Sequence, residues 1–340
     1  FVVLNVRDAA DRGAKIYART KVTSARREDG AWTIVLDGED GMQTVRAKMI
    51  VNAAGPWVDS VINGVMGKNG AHNVRLVQGS HIVVKKLYDH DRCYIFQNGD
   101  GRIIFAIPYQ DDFTLIGTTD LDYKGDPKDV KISPEETDYL LSAASEYFAQ
   151  PVTKDQIVWT YSGVRPLFDD GASEAQEATR DYVLKTEGDK ATGAVINVFG
   201  GKLTTSRRLA ESVLEKIEDV LGKKRPAWTK KSTLPGGDFG PQSFDAEVRR
   251  LGLDYPDLPK SFLRRLMRLY GTKARILLAD RKTTAELGQH FGADLYAAEV
   301  DYLVEHEWAR KAEDVLWRRT KLGLRVDGEA AGKLEEYLAA

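Results

Sequence analysis

Three cations stand beside small residues in the middle of this chain: Arg165 in YSGVRP, Arg180 in TRDYVL and Lys202 in FGGKLTT. A guanidinium offers a planar fork of donors to an oxyanion, whereas a lysine ammonium acts as a point charge. Taken singly, each reads as a solvated surface residue. Their settings argue otherwise. Arg165 lies between Gly163 and Pro166, Arg180 stands at the head of a strand, and Lys202 occupies a strand-to-helix turn, so each can point from a rigid element. Three cations placed in this way suit a phosphorylated or carboxylated substrate.

The turn around Lys202 is the sharpest of these settings. Val195, Ile196, Val198 and Phe199 are strand formers, while Leu209, Val213, Leu214, Ile217 and Leu221 recur at helical spacing. Between them stand Gly200 and Gly201, which let another molecule approach the backbone, and Thr204, Thr205 and Ser206, which are candidate caps. The unpaired N–H groups of the following helix attract negative charge.

Other chemistries are pruned by what is missing. There is no G-x-G-x-x-G, no G-x-x-x-x-G-K-[ST], no H-E-x-x-H and no C-x-x-C, so neither a complete dinucleotide fingerprint, a P-loop nor a familiar metal site is expected. His81 in QGSHIVV reads as a strand residue with a satisfied ring, and His306-Glu307 as a pair on a helix surface. A net charge of −2 gives no global case for nucleic acid, whose binders carry a strongly basic face. The single cysteine, Cys93, rules out an internal disulfide framework and fits a reducing, cytoplasmic setting. No apolar run approaches the ~20 residues that span a bilayer, so any membrane contact is expected to be peripheral.

The elements that must position these residues follow from periodicity. AKIYART, AWTIVLD and VRAKMIVNAAG read as strands, the last running through Asn52, Ala53, Ala54 and Gly55 into a helix with Pro56 in its first turn. SHIVVKK, CYIFQ, RIIFAIPY and FTLIGTTD suggest a largely antiparallel sheet, and SPEETDYLLSAASEYF a helix capped by Ser133. DDGASEAQEAT reads as an exposed loop, RDYVLKTE and GAVINVFGG as a strand pair. The Pro-, Gly- and Lys-rich stretch 222–243 reads as a linker, and 244–340 as helices. The expected domains are therefore 1–221, with a substrate-binding sheet at about 70–190, then the linker, then a helical domain over 244–340.

Taken in order, VNAAGPWVDS, QGSHIVV, FAIPY, LIGTTD, YSGVRPLF, ATRDYVL and VFGGKLTT resemble the FAD-dependent glycerol-3-phosphate dehydrogenases of the aerobic, respiratory type. The resemblance runs over essentially the whole chain and is strongest from about residue 45 to 210. It implies an α+β, α/β fold: the rear part of a D-amino-acid-oxidase-like FAD-binding fold with a mostly antiparallel substrate sheet, followed by an all-helical domain. It also implies that the unit cradling the ADP part of FAD belongs to a preceding segment, so that the chain reads as truncated at its front and inactive alone.

By the same resemblance the activity is oxidation of sn-glycerol 3-phosphate to dihydroxyacetone phosphate, with electrons passed to membrane quinone. Arg165 would face the reacting hydroxyl, Arg180 the phosphate, and Lys202 the negative charge that develops on the flavin during hydride transfer. Asn52, Ala53, Ala54, Gly55, Gly200, Gly201, Lys202, Leu203 and Thr204 would lie against the cofactor. The protein would sit peripherally on the cytoplasmic membrane, and a homodimer is compatible with the pattern. The family often has a lysine where this chain has Gln78, and no role is assigned there. Two alternatives stay open: a D-amino-acid-oxidase-like flavin enzyme acting on an amino acid, and a non-catalytic or membrane-docking remnant.

Overall fold

A computed structural model describes residues 1–171, 179, 181–222 and 226–340. The expected polar loop at 169–179 lies mostly outside the described residues, as does Arg180. By its contacts the chain divides into two compact units, one of residues 19–227 and one of residues 1–18 with 228–340.

The first unit carries three sheets. Strands β1 (Lys21–Glu28), β2 (Ala31–Gly38) and β3 (Gly41–Ala47) form an antiparallel meander. Strand β4 (Met49–Asn52) runs parallel to β12 (Ala194–Phe199), which pairs antiparallel with β11 (Val183–Glu187). Every residue of β12 is buried, as a strand covered on both faces must be. Trp32 ties the meander to it, its indole N–H donating to the Ala194 carbonyl at 2.8 Å.

The largest sheet is antiparallel. It contains β5 (Val74–Lys85), β6 (Tyr94–Gln97), β7 (Ile103–Tyr109), β8 (Phe113–Gly117) and β10 (Ile157–Phe168), in the order β10-β5-β8-β7-β6. The two-residue β9 (Leu121–Asp122) pairs with β5. On one face lies α3 (Pro134–Ser145), whose Leu140, Ala143 and Ala144 pack on Ile82, Ile104 and Ile116. Ser133 caps that helix, and Pro134 at its first position needs no hydrogen-bond acceptor for a missing N–H. Short helix α2 (Val58–Ser60) follows β4, and α4 (Ser206–Leu221) follows β12.

The second unit is built of helices: α1 (Val2–Asp11), α5 (Phe244–Asp254), α6 (Lys260–Tyr270), α7 (Ala274–Leu278), α8 (Ala297–Glu307) and α9 (Gly328–Ala339). Leu251, Leu263, Leu266, Phe291 and Leu303 centre its core. Inside it, Arg265 donates through Nη1 and Nη2 to the two oxygens of fully buried Glu299 at 2.8 and 2.7 Å, and Tyr270 adds its hydroxyl at 2.6 Å.

The expected mixed architecture, a mostly antiparallel sheet followed by a helical region, is present. Two local expectations are corrected. AKIYART is not a strand: after α1 the chain has no regular structure until Lys21, because its alternating pattern finds no partner strand and Tyr17 is left exposed. Glu307 is not on a surface either. It is buried beside Arg319, Oε2 to Nε 3.6 Å, and burial raises its carboxyl above the usual range. Helix α8 is covered on most of its circumference, which a count of polar residues alone does not reveal.

Candidate active site

The ladder between β5 and β10 sets Tyr161 opposite His81 and Arg165 opposite Val77. The imidazole of His81 stacks on Tyr161, ring centroids 4.8 Å apart and planes 5° from parallel. The guanidinium of Arg165 turns toward the segment that follows β8. It donates from Nη1 to Asp120 Oδ1 at 2.6 Å and to the Thr119 carbonyl at 3.4 Å, and from Nη2 to Thr118 Oγ1 at 3.1 Å. Arg165 is thus a clamped cation, half-buried on the sheet face.

Two glycines make room for this pair. A Cβ at position 79 would fall 2.5 Å from Arg165 Nη2, and one at position 117 would fall 2.2 Å from His81 Cδ2. Neither approach survives a side chain on the strand. Burial, and then the positive charge of Arg165, push His81 down to about 4, so the imidazole is neutral at ordinary pH. Its Nδ1 is buried without a hydrogen-bond partner among the described residues. Tyr109 from β7 is pushed up to about 12, chiefly by burial and then by Tyr161, and stays protonated.

A second feature lies at the carboxyl ends of β4 and β12. Because these strands are parallel, with Asn52 paired to Asn197, Asn52–Gly55 and Gly200–Thr204 leave the sheet at the same end. Ligands of open α/β sheets bind in such crevices. Asn52 Nδ2 donates to Asn197 Oδ1 at 2.9 Å and to the Val58 carbonyl at 3.1 Å, while its Oδ1 is buried without a partner among the described residues. Ile50, Val51, Asn52, Ala53 and Ala54 help line a cleft of about 350 Å³.

The Gly200 turn adopts φ +70°, a conformation that disfavours other residues, and a Cβ there would sit 3.0 Å from the Asp181 carbonyl and 3.7 Å from that of Pro166. The turn is therefore set against the strand end that carries Arg165. Lys202 and Thr204 are exposed, as is Leu203 at 69%. The Lys202 ammonium has no ion-pair partner among the described residues. Small residues, an apolar cleft, an uncovered leucine and an unengaged cation at a helix N-terminus fit FAD, a flat ring system with an edge that gains negative charge.

Asn52 to Gly55, Gly200 to Thr204 and Arg165 are thus gathered in one unit; Arg180 lies outside the described residues. The sequence reading of His81 as a strand residue with a satisfied ring is corrected, since its buried Nδ1 has no partner among the described residues, and that reading misses Asp120 and Tyr161. No local signal marks them, because they meet Arg165 through strand register rather than through spacing along the chain.

The family model described as FAD dependent oxidoreductase matches residues 1–207, and that described as C-terminal domain of alpha-glycerophosphate oxidase matches 227–339. The glycerol-3-phosphate dehydrogenase of Pseudomonas aeruginosa is 46% identical, over 99% of this chain and 66% of its own length. The aerobic glycerol-3-phosphate dehydrogenase of Escherichia coli K12 is 43% identical, over 99% and 68%. The D-erythritol 1-phosphate dehydrogenase of Brucella abortus is also 43% identical, over 99% and 67%. The chain therefore spans about two thirds of the length of these relatives. The crystal structure of the glycerol-3-phosphate dehydrogenase from Bacillus halodurans complexed with FAD superimposes with a TM-score of 0.77 at 25% identity, over 99% of this chain and 71% of that one. With a family model over more than half its residues and relatives matched end to end along it, the chain belongs to the FAD-dependent oxidoreductases, in the branch that carries the alpha-glycerophosphate oxidase type of C-terminal domain.

Proposed function

We propose that this chain supplies the substrate face and part of the flavin crevice of an enzyme that oxidises sn-glycerol 3-phosphate to dihydroxyacetone phosphate. The observation that carries the reading is the clamped Arg165 beside a neutral, partly unsatisfied His81, on a strand whose end abuts the Gly200 turn. Oxidising a secondary alcohol removes a proton from oxygen and a hydride from carbon. The imidazole of His81 accepts the proton, and Arg165 steadies the oxygen as charge builds on it. FAD, when bound, supplies the hydride acceptor. Lys202 and the N-terminus of α4 stabilise the negative charge that results. Arg180 is assigned the phosphate on family resemblance, where a guanidinium fork suits a dianion.

The Brucella relative supports a neighbouring reading in which the substrate is a longer phosphorylated polyol. In both, electrons pass to quinone and the protein lies on the membrane surface. No helix among the described residues is long and apolar enough to cross a membrane. The test is anaerobic reduction of the FAD-loaded enzyme by glycerol 3-phosphate, erythritol 1-phosphate, glycerol and D-alanine in turn. Bleaching by a phosphorylated polyol, with turnover sustained by a soluble quinone analogue, supports the proposal. Bleaching by the amino acid alone overturns it.

A further inference from the structure

Beneath the site runs a buried polar chain that the proposed chemistry does not use. Glu136 is the third residue of α3 and closes its capping box: its N–H donates to Ser133 Oγ at 3.1 Å, and its Oε2 accepts from Ser133 N at 2.9 Å. One carboxylate oxygen suffices for that task. Here the residue is only 3% exposed and both oxygens are engaged by residues outside the helix. Oε2 also accepts from Gln78 Nε2 at 2.8 Å, and Oε1 accepts from Thr119 Oγ1 at 2.5 Å. Among the described residues its hydrogen bonds come from neutral donors. Placing a carboxylate there is costly, and capping a helix does not require it.

What the arrangement does is visible one residue further on. Thr119 is itself buried, and its Oγ1 accepts from the Ser80 N–H at 2.9 Å while donating to Glu136. It is the middle residue of Thr118–Asp120, the three residues whose oxygens receive the Arg165 guanidinium. Gln78 steadies the carboxylate from the other side, its amide donating as well to the Lys131 carbonyl at 2.8 Å. We propose that Glu136 is a positioning residue for Arg165: by gripping Thr119 it holds the Thr118–Asp120 segment in the shape that keeps the guanidinium beside His81. The inference rests on the reading of Arg165 and His81 as the substrate face.

The test uses the FAD-loaded enzyme with Glu136→Ala, Thr119→Val, their double variant, Arg165→Lys, and Leu140→Ala as a packing control on the same helix. Two readouts are taken: the pH profile of kcat/KM, and the titration of the His81 ring by NMR with labelled histidine, which does not depend on turnover. The charged and titratable groups around His81 are Arg165 and Tyr161 from β10, Asp120 beyond β8, which is paired to Arg165, and Tyr109 from β7, beside Tyr161. A guanidinium no longer held in place depresses His81 less. Glu136→Ala and Thr119→Val should each lower kcat/KM on the order of tenfold, the scale on which outer partners of functional side chains act. Both should move the acidic limb and the ring titration to higher pH, with the double variant no worse than either single one.

Leu140→Ala should lower the unfolding midpoint and leave the limb in place. Thr119→Val keeps the capping box, so it carries the test if Glu136→Ala fails to fold. An unmoved limb in both single variants, or an equal movement in Leu140→Ala, overturns the positioning role. If Arg165→Lys alters rate and limb while Glu136→Ala alters neither, only this inference falls; if Arg165→Lys alters nothing, the substrate-face reading falls with it.

Discussion

At the scale of single residues, His81 and Lys202 make opposite electrostatic statements. The imidazole has an ordinary value of 6.5 and is brought to about 4 by burial and by Arg165. If it is the base, kcat/KM should hold as pH falls through 6.5 and decline only as it nears 4, where His81→Asn should have abolished the limb along with most of the rate. The same shift has a consequence for stability. Between those two pH values the unfolded chain binds a proton that the folded one refuses, so the contribution is complete above 6.5 and is lost progressively as pH falls toward 4. Urea unfolding of wild type and His81→Phe across that range should show the wild type losing more. Lys202, by contrast, is exposed and has no ion-pair partner among the described residues. Lys202→Met retains much of the stem and removes the charge, and stopped-flow reduction of the FAD-loaded variant by glycerol 3-phosphate should slow on the order of 10²-fold, with FAD retained. An unchanged rate would return Lys202 to the solvated surface.

At the scale of elements, α6 and α8 are joined by the Arg265–Glu299–Tyr270 cluster, in which the glutamate side chain is 0% and the arginine side chain 15% exposed. Removing Glu299 leaves the buried Arg265 with Asp294 Oδ1, 2.8 Å from its Nε, in place of a two-oxygen carboxylate partner, and breaking a buried pair costs up to about 3–5 kcal/mol. Glu299→Ala should therefore shift the denaturant midpoint sharply downward with little change of slope, as measured on the enzyme by guanidinium unfolding. The C-terminal helices that hold this pair are legible in the sequence, because their apolar residues recur at helical spacing. So is the large sheet, since SHIVVKK, RIIFAIPY and FTLIGTTD alternate between Asp, Asn and Gly turns. The company His81 keeps is not legible. Arg165 lies more than eighty residues beyond it, and the two come together through the β5–β10 register, which no local pattern encodes. AKIYART misleads for the complementary reason: alternation states what a strand would look like, not whether a partner is there to pair with it.

At the scale of the whole molecule, Asn52–Gly55 and Gly200–Thr204 leave the parallel β4–β12 pair at the same end, while no G-x-G-x-x-G turn for a pyrophosphate occurs in the 340 residues. The 340-residue polypeptide by itself should therefore bind FAD more weakly than micromolar, as read from absorbance after desalting, and fusion to the additional segment of a relative should restore colour. Stoichiometric yellow protein from the polypeptide alone would contradict this. The long ladder between β5 and β10 has a further consequence, in time rather than in space. The β6–β7 and β7–β8 hairpins close short loops, but β5 must wait for residues 157–168, so the wall that bears His81 and Arg165 is assembled late in folding. On the ribosome, one whole edge of the apolar β5 stays unpaired until Phe168 has emerged. That interval is when a nascent chain of this kind most needs a chaperone.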